Sequence, residues 1–372
     1  MSILDRYLAK EILLPFVAGV LFLTQLLLAT QLLAQAEVLF GSGVGLRDVG
    51  AILVALLPHV LGYVLPIAFL LGAVLGVGRL AEDREVMALG AAGVSPVGLV
   101  RVPLALGIGA GALGLWLSLT LEPAGLAAAR VRVNEIVKRN VTNDVRAGTF
   151  YDQIPGYTLY AEQVHRGGWE HVLISDRSDP SSPVLALAGG GRLEPVGTGQ
   201  EMQLVLEGGE LHREDTVAGE YVTADFRRAE VVLGLGTALT DRSGSLLRGV
   251  REMTSGQMRA RIREARARGN EAEALRFEGY LNRRVAQPLA VLPFALLAVP
   301  LGASRRAGRA FAVGATLLAV VAHYVLLRGG EVLAQKALLP PPLALQLPTI
   351  ALSLVALALV AQQARRGVGA VR

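Results

Sequence analysis

The sequence predicts an α-helical polytopic membrane protein: six transmembrane helices, in two sets of three, with an all-β domain inserted between the sets. Three observations carry this expectation. Soluble domains hold about 25% charged residues, whereas this chain of 372 residues holds 18%, with 52% hydrophobic residues and a mean hydropathy of +0.48. Its apolar residues gather into six runs of about 18 or more, enough to cross the hydrocarbon of a bilayer. Between the third and fourth runs the chain is polar and breaks into short segments with partial alternation.

The first run, Ile12–Ala36, follows Arg6, Lys10 and Glu11. It is too long for a signal-peptide core and no clean small-residue cleavage site follows, so it reads as span one. Span two covers about Val49–Gly78 and contains Pro58 and Pro66; span three covers about Gly98–Leu121. Spans four to six cover Val285–Gly302, Ala310–Leu327 and about Leu343–Ala361. The prolines of span two, with Pro288, Pro293 and Pro300 of span four, free backbone carbonyls and permit kinks. Gly72 with Gly76, and Gly107 with Gly111, form small-xxx-small pairs that let helix backbones approach closely.

Short loops give the orientation. One side carries ten cations (Arg6, Lys10, Arg79, Arg84, Arg305, Arg306, Arg309, Arg365, Arg366, Arg372) and the other three (Arg47, Arg328, Lys336). The cation-rich side is the cytoplasmic one. Both termini are therefore expected inside, and the polar domain in the periplasm of a bacterium.

Within that domain, Thr149–Val164, Val172–Asp176, Val184–Leu193, Met202–Leu206, Glu210–Arg213 and Tyr221–Leu233 are separated by turns at Pro155-Gly156, Gly167-Gly168, Asp179-Pro180, Gly189–Gly191, Gly197–Gly199 and Gly208-Gly209. This spacing predicts a sandwich or roll. Thr254 with Gln257, then Asn270 with Glu273, open two further helices by capping-box patterns. Composition places the boundaries at 1–121 for spans one to three, 122–253 for the β domain, 254–283 for a helical connector and 284–372 for spans four to six.

Between spans two and three lies RLAEDREVMALGAAGVSP, residues 79–96. A turn between spans needs only a few residues, and this island is long enough for about four helical turns. Glu82, Asp83 and Glu85 crowd its expected first turn, where the helix dipole favours acids. Val86, Leu89, Gly90 and Gly93 share one narrow apolar-to-small face, Gly93 supplies a stop, and Ser95-Pro96 caps the next helix. The segment 79–94 reads as a docking element on the cytoplasmic side.

Other chemistry is sparse. GxxxxGK[ST], HExxH and GxSxG are all missing, so the chain binds no nucleotide phosphate by such a loop, and an enzyme is disfavoured. Absence of Cys excludes disulfides and thiolate metal sites. The formal charge of +5 and pI near 9.7 are spread over many segments, without the aromatic-rich basic patch of a nucleic-acid binder. Of the cations only Lys10, Lys138 and Lys336 are Lys, a bias that suits phosphate recognition and equally follows from genome-wide Arg usage. Arg130, Arg132, Lys138 and Arg139 after span three, with Arg283 and Arg284 opening span four, would bind lipid phosphates if they met at the headgroup plane, or else only anchor the chain there. In the spans, Gln25, Gln31, His59 and His323 are polar; helix-to-helix hydrogen bonding accounts for such residues more economically than a proton relay.

The run GRLAEDREVMALGAAGVSP after a Pro-broken span, with RYLAKEILLPF near the N-terminus and RRVAQPLAVLPFALLAVPLG in span four, strongly resembles the LptF/LptG family of lipopolysaccharide export permeases. The resemblance covers essentially the whole chain. It implies a periplasmic β-jellyroll, and pairing of an LptF-type with an LptG-type subunit around a central cavity. It also implies a cytoplasmic LptB-type ATPase dimer that binds the ATP and Mg, leaving no cofactor on this chain. LptC/LptA-type periplasmic bridge proteins are implied to receive the lipopolysaccharide. The island between spans two and three corresponds to the family's coupling helix, whose acid eight residues before a Gly matches Glu85 before Gly93. The docking residues implied are Glu82, Asp83, Arg84, Glu85, Met87, Leu89 and Gly93. Lipid is implied to enter from the outer leaflet between span one of one subunit and span five of the other, the helices that carry Gln25, Gln31 and His323. Span one ends in Gln31, Gln35 and Glu37 where LptG-type chains often place Lys.

Three functions compete on these observations: an ATP-driven lipid extractor, a membrane-anchored periplasmic scaffold that moves nothing, and a secondary transporter. The third is disfavoured by the lack of buried acids. A scaffold has no use for a long cytoplasmic helix.

Overall fold

The computed structural model describes residues 3–34, 45–144, 147–154, 157–165, 168–177, 183–196, 201–215, 220–233, 250–303 and 309–366. The turns expected at Pro155-Gly156, Asp179-Pro180 and Gly197–Gly199 lie outside these residues, as do Gln35, Glu37, Arg305, Arg306 and Arg372. The elements in order are α1 (Ile3–Ala34), α2 (Leu46–Glu82), α3 (Glu85–Ala91), α4 (Pro96–Trp116), a π-helical turn (Leu117–Leu121), α5 (Glu122–Asp144), strands β1 (Thr149–Ile154), β2 (Tyr157–His165), β3 (Gly168–Asp176), β4 (Val184–Val196), β5 (Glu201–Asp215) and β6 (Glu220–Leu233), then α6 (Ser255–Ala267), α7 (Glu271–Leu289), α8 (Val291–Gly302), α9 (Arg309–Gln335) and α10 (Pro341–Arg366). Six stretches are long and apolar enough to cross a membrane: Ile3–Leu33, Leu46–Glu82, Pro96–Val133, Glu271–Gly302, Ala312–Gln335 and Pro341–Arg365. The chain divides into two compact units, one of residues 1–28, 56–126 and 249–372, the other of residues 29–55 and 127–248.

The first unit is helical. Lipid tails are as apolar as Leu, so its helices are held by close packing, and glycine makes the closest approach possible. A Cβ on Gly72 would lie 2.6 Å from the Phe16 Cα, and one on Gly76 would lie 2.5 Å from the Glu11 carbonyl oxygen. That carbonyl is the one Pro15, lacking an N–H, cannot bond within α1. The α-hydrogen of Gly76 takes its place beside it. Leu8, Ala9 and Ile12 of α1 are consequently buried in one cluster with Phe69, Ala73 and Val77 of α2. Gly107 and Gly114 bring α4 against Ala295 and Pro288 in the same manner. Pro293 likewise frees the Leu289 carbonyl, and α7 gives way to α8 at Ala290.

Two boundaries differ from those read by composition. The polar region was expected to begin at 122, but α5 carries the helix on to Asp144, burying Leu126, Ala129 and Val133 on one face. The connector expected to end at 283 is continuous with the fourth span, since α7 passes through Arg283 and Arg284 unbroken. Both expected caps are present: Thr254 and Gln257 form a reciprocal capping box, and Asn270 accepts from the Glu273 amide.

The second unit contains one six-stranded antiparallel sheet in sequence order, β1 to β6. An up-and-down meander differs from the expected jellyroll, which needs two sheets with crossing connections; none joins the described strands. Strand β5 is also continuous through Gly208-Gly209, which was expected to be a turn. The ladders skip Glu162, His171, Gly189 and Gly208, which lie in line across β2 to β5. Two of these are left-handed, His171 (φ 47°) and Gly208 (φ 59°). Along this crease the alternation changes phase: Val172 and Ile174 are buried beyond it in β3, but Trp169 before it. One face thus stays apolar on both sides of the crease.

Candidate functional site

Residues 79–96 form two helical pieces rather than the single lever expected. Helix α2 runs to Glu82, where the Asp83 amide bonds the Arg79 carbonyl and the Arg84 amide bonds that of Ala81. Arg84 then turns left-handed (φ 61°, ψ 9°), and α3 starts at Glu85 with no side-chain cap. Glu82 and Asp83 therefore close α2, and Glu85 alone occupies a first turn, where its charge meets the positive end of the dipole. The far end follows the sequence closely. Gly93 is left-handed (φ 87°), with the Val94 amide on the Leu89 carbonyl (2.9 Å) and the Gly93 amide on that of Gly90 (3.1 Å), the paired bonds of a Schellman stop. The Ser95 hydroxyl accepts from the Gly98 amide (3.1 Å), and Pro96 begins α4.

Val86 is 3% exposed and is buried with Leu80, Leu99 and Val100, while Leu89 and Val94 pack partly against them. Gly90 and Gly93, expected on the same face, are exposed instead. The outward surface holds Glu82, Asp83, Arg84, Met87 and Gly90. Glu85 lies at the edge between the two faces, its Oε1 accepting from the Tyr7 hydroxyl of α1 (3.1 Å). Arg79 donates to Glu11 (3.0 Å) and lies 3.9 Å from Asp83. An acid-rimmed apolar knob on a fixed mount suits a partner groove with a cation at its rim.

A second polar cluster surrounds His59, about 35 Å along α2 from Glu82 at 1.5 Å per residue. The π-helical turn at Leu117–Leu121 directs Ser118 and Glu122 inward. His59 Nδ1 lies 2.9 Å from Glu122 Oε1, and the Ser118 hydroxyl donates to Oε2 at 2.9 Å. Arg284, 6% exposed, donates to the carbonyls of Met253 (2.7 Å) and Arg251. Arg283 pairs with Glu331 (2.8 Å) and donates to the Tyr63 hydroxyl (3.3 Å). The cavity they line has a volume of about 30 Å³, room for a water molecule rather than a lipid headgroup.

Four of the six lipid-phosphate candidates have described side chains. Arg283 and Arg284 are engaged within the protein, and a buried guanidinium on two carbonyls is a clamp on the chain. Arg132 pairs with Glu135 on its own helix (3.0 Å), and Arg130 is partly buried on α5. Lys138 and Arg139 fall on α5, their side chains outside the described set. Gln25 and Gln31 are exposed on α1, whereas His323 is 1% exposed, its ring 5.4 Å from those of Phe294 and Tyr324. Sequence reasoning missed Tyr7, Ser118, Tyr63, Glu122 and Glu331. Glu122 is readable in the sequence as an acid directly closing an apolar run.

Over residues 6–362 the chain matches the family described as "Lipopolysaccharide export system permease LptF/LptG". It is also similar to the uncharacterized protein RP871 of Rickettsia prowazekii (strain Madrid E), with 23% identity over 205 residues, 55% of this chain and 57% of that protein. The chain thus spans a little over half the length of that curated relative. With six helices of membrane-crossing length and a family match over nearly all its residues, this chain is a multi-pass inner-membrane protein and belongs to the LptF/LptG family of lipopolysaccharide export permeases.

Proposed function

We propose that the chain is the permease subunit of an ATP-binding-cassette exporter that extracts lipopolysaccharide from the outer leaflet of the inner membrane. ATP is hydrolysed by a separate LptB-type dimer docked on residues 82–93, and the chain itself performs no catalysis. A paired LptF- or LptG-type subunit completes the cavity, and LptC/LptA-type bridge proteins receive the lipid. Both termini and α3 face the cytoplasm, and the sheet faces the periplasm. Among the described strands β1 and β6 each pair on one side only, which supports edge-to-edge addition of a bridge protein's strand.

The observation that carries this reading is the mount of α3. A seven-residue helix is too short to hold its shape alone. Here it is fixed by the Gly93 stop and by burial of Val86, with Glu85 at its edge and Met87 left outward. Such an element receives force without needing a nucleotide site on the same chain. The test is co-purification of the ATPase with Glu85→Lys, checked for membrane insertion. Loss of the ATPase from an inserted permease is the expected result. Full retention would refute docking at this acid, and failure of ATP to release lipid from the reconstituted complex would leave a scaffold.

A further inference from the structure

We infer that Tyr7 is a positioning residue of the docking element: its hydroxyl holds the Glu85 carboxylate and ties that acid to α1. The inference rests on the docking reading above and adds to it a second strand of the chain, 78 residues away in sequence.

Three features carry it. First, the donor is neutral. Arg79 is within reach of this surface, yet it pairs with Glu11 at 3.0 Å and lies 3.9 Å from Asp83, while Glu85 receives the Tyr7 phenol at 3.1 Å. A guanidinium would orient Glu85 and also cancel its charge. A phenol orients it through Oε1 and leaves the negative charge, with Oε2, for a cation of the partner. Second, Tyr7 is itself held. Leu8, Ala9 and Ile12, 3%, 7% and 0% exposed, belong to the same buried cluster as Leu80 and Val86. The phenol therefore stands on a fixed helix and is 39% exposed at its rim. Third, Glu85 opens α3 directly after a left-handed, uncapped Arg84, and the hydrogen bond given to its carboxylate comes from α1. Fixing a flexible acid before its partner arrives removes an ordering cost from the binding step.

The geometry also gives Tyr7 a role in transmission. A push on Glu85 reaches α1 through the phenol, in parallel with the Arg79–Glu11 pair and the seat of Phe16 and Glu11 on Gly72 and Gly76. Docking and the first span are then moved together.

The experiment uses the full permease complex in detergent and titrates the purified ATPase against it. Tyr7→Phe deletes the hydroxyl and keeps the ring. The expected result is roughly three- to tenfold weaker ATPase binding, the effect of one hydrogen bond, with the melting temperature of the complex unmoved. A Glu85→Asp background shortens the acid out of reach of the hydroxyl while keeping its charge, so Tyr7→Phe should there change nothing further. Unchanged affinity of Tyr7→Phe in the native background would overturn the inference, and so would an equal additional loss beside Glu85→Asp. Retained binding of Glu85→Lys would remove the docking reading itself; loss with Glu85→Lys but none with Tyr7→Phe would remove only the role of Tyr7.

Discussion

Glu85 and Glu122 are both held by a ring from another helix, one by a phenol and the other by an imidazole. Their surroundings differ. Glu122 and His59 keep 14% and 20% of their side-chain surface, in a cluster that includes the buried Arg284. Glu85 lies at the rim of an exposed face. Exposed polar contacts are weak and leave the remaining lone pairs open to water. Buried ones are costly to break, because any group left behind has no water to turn to. One carboxylate is thus held yet reachable from outside and the other is shut in, and the same chain uses chemically similar pairs for both ends.

The comparison breaks most severely at Arg284. Arg284→Met leaves the carbonyls of Arg251 and Met253 without their donor, at a loss of about 3 kcal/mol; thermal unfolding in detergent measures it, and an unchanged midpoint would mean the clamp is dispensable. Next comes the mount of the exposed end. Gly72→Leu forces α1 off α2 at Phe16, with a loss of about 1–3 kcal/mol by overpacking and weakened ATPase binding from a position outside α3. Glu85→Lys should leave the melting temperature where it was and remove the ATPase, which separates docking from stability. Arg84→Gly relieves a left-handed non-glycine residue and should stabilise by a few tenths to about 1 kcal/mol, read in the same melts.

The smallest effect calibrates exposed pairs elsewhere. Arg192 bonds Glu194 and Glu207 across β4 and β5 and holds the Glu194 carboxyl below the usual carboxylate range. A carboxyl lowered on folding stabilises above its unfolded pKa, and that contribution fades as pH falls through the folded one. Arg192→Ala should therefore cut stability slightly near neutrality and leave it unaltered in acid, as followed by circular dichroism of the sheet.

Much of this was legible in the chain. Apolar runs located every candidate span, and Gly93 and Ser95-Pro96 marked the stop and restart after α3, because each signal acts within one helical turn. Arg84 gave no warning, since a left-handed position is announced by Gly or Asn and this one is Arg. The continuation of α5 was written in Leu126, Ala129 and Val133 at helical spacing, under a polar composition that hid it. Strand order cannot be read from alternation, and at the crease alternation itself misleads: Leu204, Val205 and Leu206 of β5 are buried in succession. Tyr7 and Arg284 were out of reach for another reason. Their partners are distant in sequence, and nothing local to a phenol or a guanidinium says what it will meet.

The notch of Gly72 and Gly76 has a kinematic consequence. Where backbone lies in backbone, a helix cannot slip along its neighbour by a small step; it stays seated or leaves the groove altogether. The lower part of α1 is thereby keyed to α2 backbone in backbone, whereas beyond Phe16 the first span meets α2 through side chains, with Val20, Leu23 and Leu27 on Val60, Val64 and Ala68, and exposes Leu21, Phe22 and Leu26. Any swing of that span must begin above the notch, so the glycines determine where along its length the helix is able to pivot.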